Sequence, residues 1–126
     1  MLLLDADVMI DLMRGFPGAV AWMSAVTDSV GIAGYAMLEL VAGCRGATDV
    51  QRLNRETRAM RIVWPSRLHC ERALDDFKRL HLSHGVGAFD ILIGHTALEL
   101  NVPLHTFNVK HYSAIPGLTT IQPYIR

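Results

Sequence analysis

The chain has 126 residues, 51% of them hydrophobic and 19% charged, which suits one folded domain burying about two-thirds of the surface its unfolded form exposes. That balance excludes a disordered or disulfide-stapled chain, and 12 basic against 12 acidic residues exclude a strongly basic nucleic-acid binder, so phosphate contacts have to come from a local basic face. Asp5, Asp7 and Asp11 interrupt the apolar start, no apolar run is long enough to span a bilayer, and Cys44 and Cys70 form no CxxC pair; a soluble cytoplasmic protein with reduced thiols is expected.

Leu2 to Leu4 is wholly apolar and too short for a helix, and it predicts a strand buried on both faces of a parallel sheet. Asp5 closes it. Ligand crevices of open parallel sheets lie beyond the carboxyl ends of the strands, so Asp5 is the first candidate site residue. Capping of the next helix, Val8 to about Arg14 with Gly15 as its stop, is the competing role for Asp5 or Asp7. Pro17 predicts a second helix with Val20, Trp22, Met23 and Val26 on its buried side, and Val30 to Ala33 a second strand.

Tyr35 to Gly43 predicts a helix in which Glu39 is the only charge, and the positions three and four residues away hold Tyr35, Ala36, Ala42 and Gly43. Without a local cation, Glu39 has to find its partner by tertiary contact; a metal ion, a distant ion pair or an exposed helix edge all satisfy that. Asp49 to Met60 predicts a polar helix whose Arg52, Arg55 and Arg58, with Arg61 beyond, either follow a phosphate backbone or form a solvated face. Arg61 to Trp64 predicts a strand.

Ser66 is expected to cap a helix through about Leu82, with Leu68, Ala73, Phe77 and Leu80 turned inward. His81 and His84 have HxxH spacing but lack further zinc ligands nearby. Ala88 to Leu100 predicts a buried helix, opened by Asp90 either as N-cap or as another carboxylate without a cation one turn on. Pro103 to Thr106 and Thr119 to Gln122 complete the strands. Strand and helix signals alternate throughout, so the expected class is a single three-layer α/β/α domain, residues 1–126, with a mainly parallel central sheet.

Four groups of these residues, in this order, resemble the motifs of the PIN-domain family and, within it, the VapC toxins of toxin–antitoxin pairs. They are Leu3-Leu4-Asp5 with Val8 to Leu12; Leu38-Glu39-Leu40 with Gly43; Asp90 to Ile93 with Thr96 to Glu99; and Thr106 to Tyr112 with Ile115 to Leu118. The resemblance implies a metal-dependent endoribonuclease in which Asp5, Glu39 and Asp90 converge on Mg²⁺ or Mn²⁺ and water, without a covalent protein intermediate, cleaves the RNA phosphodiester. It also implies a homodimer and a VapB-like antitoxin partner. Asp7 stands where the family often carries a neutral residue, and Asn108 where many members carry a fourth acid; Asn108 is assigned a catalytic role with Thr106, positioning water. One tightly held ion is expected. Arg14, Arg45 and the Arg52 to Arg61 run are the candidates for RNA phosphate contact.

Two rivals use the same residues. Asp5-Ala6-Asp7 also resembles the opening of haloacid-dehalogenase-type phosphatases, with Thr106 and Lys110 available but no later acid. Asn108 leaves room for a catalytically inactive PIN-like module that binds RNA or a partner.

Overall fold

The structure, a computed structural model spanning Met1–Arg126, is built from five short strands and seven helices. In chain order these are β1 (Leu2–Leu4), α1 (Ala6–Met13), α2 (Pro17–Ala25), β2 (Val30–Ala33), α3 (Gly34–Ala42), α4 (Ala47–Glu56), β3 (Arg61–Val63), α5 (Arg67–His84), α6 (Ala88–Leu100), β4 (Leu104–His105), α7 (Val109–Tyr112) and β5 (Thr120–Ile121). The strands form one sheet in the order β3-β2-β1-β4-β5, and every neighbouring pair is parallel. Leu3 and Leu4 are both fully buried. Successive strand residues point to opposite faces, so helices cover both sides of the sheet, as the apolar run predicts for the α/β/α class.

β1 is the hub because the chain departs from it in both directions: β2 and β3 lie on one side, β4 and β5 on the other. Such a reversal opens a crevice at the carboxyl ends of the strands flanking it. Asp5 leaves β1 there, and its N–H still donates to the His105 carbonyl at 3.0 Å, which carries the β1–β4 pairing to the crevice edge. α3 follows β2 without a loop and packs against α1 and α6. Its first residue is Gly34, where a Cβ would collide with the Trp64 indole.

Several boundaries and faces differ from the sequence-based expectation. α1 starts two residues early, at Ala6, since Asp5 itself is the N-cap and accepts the Ala6 N–H at 2.8 Å. Gly15, at φ +70°, lies just beyond this helix in the left-handed region. On α2, Val20 is 45% exposed and Ala19 is the fully buried residue; a helix apolar on nearly every side has no stripe from which to read its inward face. On α5, Leu68 is 53% exposed. Its place five residues before the buried Ala73 puts it about 140° around the helix, whereas Phe77 follows Ala73 by one turn. α5 also runs on to His84, where Gly85 at φ +64° ends it. His81 and His84 are exposed there, and the His84 ring pairs with the Ser83 hydroxyl at 2.7 Å.

α5 and α6 pack along one another through a polar group that periodicity does not reveal. The buried His95 pairs through Nε2 with Asp76 Oδ2 at 2.7 Å and through Nδ1 with His69 Nδ1 at 3.3 Å, and Arg79 closes on the other Asp76 oxygen. Replacing Asp76 by Ala leaves buried His95 without its carboxylate, a loss of about 1–3 kcal/mol. Urea unfolding should show that loss for Asp76→Ala, while Asp75→Ala on the exposed side of the same helix should stay within about 0.5 kcal/mol of wild type.

Candidate active site

The crevice at the end of β1 and β4 is a cleft of about 360 Å³ lined by Asp5, Ala6, Asp7, Ile10, Glu39, Asp90, Phe107, Asn108 and Arg126. Four elements supply its carboxylates and their supports. Asp5 comes from the β1 exit, Asp7 from the first turn of α1, Glu39 from the middle of α3 and Asp90 from the first turn of α6. Asp90 is not the helix cap, a position taken by Gly87, and its side chain makes no capping bond.

Asp5 is 6% exposed, and each of its oxygens accepts a hydrogen bond. Oδ1 accepts the Ala6 N–H, and Oδ2 accepts the Thr106 hydroxyl at 2.9 Å. The same hydroxyl lies 3.1 Å from Asp7 Oδ2 and accepts the Asn108 N–H at 3.0 Å. Asp7 in turn accepts the Val8 N–H at 2.7 Å and the Phe107 N–H at 2.8 Å. Asp5 therefore both caps α1 and faces the cleft, while Asp7 joins the loop after β4 to the start of α1.

The electrostatics show how little compensates these charges. Burial first, and then the neighbouring Asp7, pushes the Asp5 carboxyl up to about 6, against lowering by its bonds from Ala6 and Thr106. Partial burial and repulsion from Asp5, Asp90 and Asp7 push Glu39 up to about 7. Beneath them lies the fully buried Tyr112, and burial together with the nearby Asp5, Asp90 and Glu39 raises its pKa far above that of a free phenol.

No three acidic, His or Cys side chains close into a ready ligand cage. The donor set nevertheless fits a hard, well-hydrated divalent cation, which takes carboxylate oxygens, keeps several waters and needs only one or two protein carboxylates at a time. Unrelieved repulsion among the acids is the structural mark of that fit.

Asn108 lines the cleft, but its side-chain amide pairs with His111 Nδ1 at 3.1 Å, and His111 approaches Asp90 at 3.8 Å. Arg126 is the one cation in the lining. Its Nε donates to Asp11 Oδ2 at 2.9 Å, and its guanidinium lies 4.1 Å over the Phe107 ring. Tyr124 donates to the same Asp11 oxygen at 2.8 Å. Neither Arg126 nor His111 carries a local sequence signal; both reach the site through folding alone. Among the predicted basic residues, Arg14 and Arg52 line a depression of about 350 Å³ that shares Ile10 and Glu39 with the cleft. Arg45 and Arg61 are exposed and line neither space. Lys110, the lysine of the phosphatase reading, is likewise exposed and absent from the lining.

Comparison with known proteins places the fold and the family. The family model described as "PIN domain" matches residues 2–115. Ribonuclease VapC10 of Mycobacterium tuberculosis is 33% identical over 115 residues, covering 89% of this chain and 86% of that protein. Among solved structures, a toxin–antitoxin complex from Klebsiella pneumoniae superposes with a TM-score of 0.78 at 25% identity over 100% of both chains. VapBC-1 from nontypeable Haemophilus influenzae gives 0.77 at 25% identity over 95% of this chain and 96% of that one. VapBC2 from Rickettsia felis bound to a promoter DNA fragment shares the fold at 0.77 with 18% identity, covering 95% of this chain and 96% of that one. With the four motifs falling on one cleft, the chain belongs to the PIN-domain family, among its VapC-type members.

Proposed function

We propose that this protein is a Mg²⁺- or Mn²⁺-dependent endoribonuclease and the toxin of a VapBC-type pair, with a VapB-like antitoxin as its partner. One observation carries the reading: Asp5, Glu39 and Asp90, far apart in sequence and without local cations, line one cleft at the switch point of the sheet. The name of the Mycobacterium tuberculosis relative supports RNA as substrate, and the toxin–antitoxin complexes among the structural neighbours support the partner. A homodimer and a cytoplasmic site of action belong to the same reading, the latter in keeping with the two free cysteines.

In this reading Asp5, Glu39 and Asp90 hold the cation. Bound there, it would supply positive charge beside the scissile phosphate and lower the pKa of water enough to give a hydroxide nucleophile. The residues of the chain do the positioning. Thr106 fixes the orientation of Asp5 by donating to Oδ2, and Asp7 holds the Phe107 backbone so that Thr106 stays in reach. Asn108 contributes its N–H to the Thr106 oxygen, which leaves the hydroxyl proton free for the carboxylates. This makes its role that of a positioning group, carried by its backbone as much as by its amide.

Purified protein free of partner should cut labelled RNA only with Mg²⁺ or Mn²⁺, lose all cuts with EDTA, and lose them in Asp5→Ala and Asp90→Asn. Equal behaviour of wild type and variants would reject the reading. Thr106→Val, which keeps the shape but removes the hydroxyl, should lower the cleavage rate about 10- to 100-fold and weaken Mn²⁺ activation by a similar factor.

The acid cluster also sets a pH dependence. Asp5 and Glu39 have metal-free folded values of about 6 and 7, above ordinary values of 3.8 and 4.5, so the folded state holds the extra protons across that window. Stability from these groups is therefore present at low pH and lost as pH rises through 6 to 7. Thermal melts without metal should show this fall, and Glu39→Gln should flatten it. Protons compete with the cation for the same oxygens, so added Mn²⁺ should raise Tm more at pH 8 than at pH 5.5.

A further inference from the structure

We infer that Arg126 is a substrate-phosphate contact, holding an RNA phosphate at the Phe107 side of the acidic centre. The inference rests on the ribonuclease reading, and the geometry around Arg126 carries it. An anionic strand entering a cleft lined by Asp5, Asp7, Glu39 and Asp90 meets repulsion unless cations stand beside them, and Arg126 is the cation placed in that lining. Its side chain remains 47% exposed.

The guanidinium is also fixed in orientation. Nε is held by Asp11 at 2.9 Å, the guanidinium carbon lies 4.1 Å over Phe107, and Tyr124 packs at a tilt against the same ring, 4.8 Å between centroids, while donating to Asp11. These contacts consume Nε alone. The two Nη groups have no hydrogen-bond partner in the protein, and their fork matches two non-bridging phosphate oxygens. Asp11 neutralises part of the charge, so what Arg126 contributes is direction more than field strength. A restrained fork loses little side-chain freedom when the phosphate arrives.

A second feature gives the strand a path. The depression lined by Arg14 and Arg52 shares Ile10 and Glu39 with the cleft, and Arg52 there also donates to the Met13 carbonyl. A chain of phosphates running from Arg14 and Arg52 to Arg126 passes over the acidic centre between them. Arg126 thereby fixes which phosphodiester stands at the carboxylates.

The test uses the full chain with saturating Mn²⁺ and a labelled single-stranded RNA at several salt concentrations. Arg126→Ala should raise KM about tenfold, the loss of one charge-assisted pair, with kcat within about twofold. It should also reduce the salt slope of log KM by about one, and leave the Mn²⁺ midpoint unchanged. Arg126→Lys should restore the slope but only part of the affinity. Tyr124→Phe, which loosens Asp11 yet keeps the cation, should retain the slope. An unchanged KM and slope in Arg126→Ala, or a Tyr124→Phe variant that reproduces the whole Arg126→Ala effect, overturns the inference in favour of a purely structural latch.

A binding arm separates this inference from the nuclease reading. RNA affinity is measured by fluorescence anisotropy for Asp90→Asn with and without Arg126→Ala. Equal affinities and slopes there overturn the phosphate contact whatever cleavage shows. A lower slope with Arg126→Ala, alongside a wild type that cuts no RNA, supports the contact and overturns the nuclease reading alone.

Discussion

The hydroxyl of Thr106 lies between the carboxylates of Asp5 and Asp7, at 2.9 and 3.1 Å, and the architecture of the site depends on it. Asp5 and Thr106 follow the ends of two strands that are adjacent in the sheet and about a hundred residues apart in the chain, and Asp7 lies in the first turn of the helix after Asp5. β1 and β4 can pair only because the crossover through β2, β3 and six of the helices returns the chain to the other side of β1. Once they pair, Asp5 and Thr106 leave the sheet side by side, and a single proton shared toward two acids holds their loops together. Parallel pairing is thus the cause, and the gathered carboxylates are its consequence.

Gathering them works against the fold. Asp5 is almost completely buried beside a second acid, and Glu39 meets Asp5, Asp90 and Asp7, so ionising the cluster weakens the metal-free protein. The offset lies in the core immediately behind it: Leu3, Leu4, Val8, Met9, Ile91 and Ile93 are all buried to within 1%. Burying such side chains stabilises by roughly 1.5–3 kcal/mol each relative to exposure, enough to hold a repulsive site in place. A cation would relieve the repulsion directly, which is why the same residues that cost stability are suited to bind one.

Local sequence pattern made much of this visible. An apolar triplet ended by Asp5 can be little else than a buried strand opening onto a crevice, and Glu39 and Asp90 stand out because every neighbour one turn away is neutral. Local pattern failed where tertiary contact decides. Val20 sits on a helix with apolar residues on almost every face, so its exposure depends on what covers α2. His95 lies in an apolar helix and acquires its meaning from Asp76 and His69 on α5. Arg126 reads as an isolated charge until Asp11 and Phe107 fold against it. Interactions across long loops leave no periodic signature, and the polar ones among them are the hardest to foresee.

Asn108 shows how the site limits its own charge. A fourth acid at this position would face a cleft in which Glu39 is already pushed up to about 7 by burial and by Asp5, Asp90 and Asp7. The amide instead pairs with His111, whose other neighbour is Asp90 at 3.8 Å, so the chain Asn108–His111–Asp90 is neutral at one end and acidic at the other. Asp7 meanwhile supplies negative charge from the opposite loop, bound by the Phe107 N–H and close to the Thr106 hydroxyl. Negative charge absent at Asn108 is thus carried by Asp7, a residue anchored by the Val8 and Phe107 backbone donors. The asymmetry concentrates negative charge on the Asp5–Asp7 side of a cleft whose lining holds one cation, Arg126.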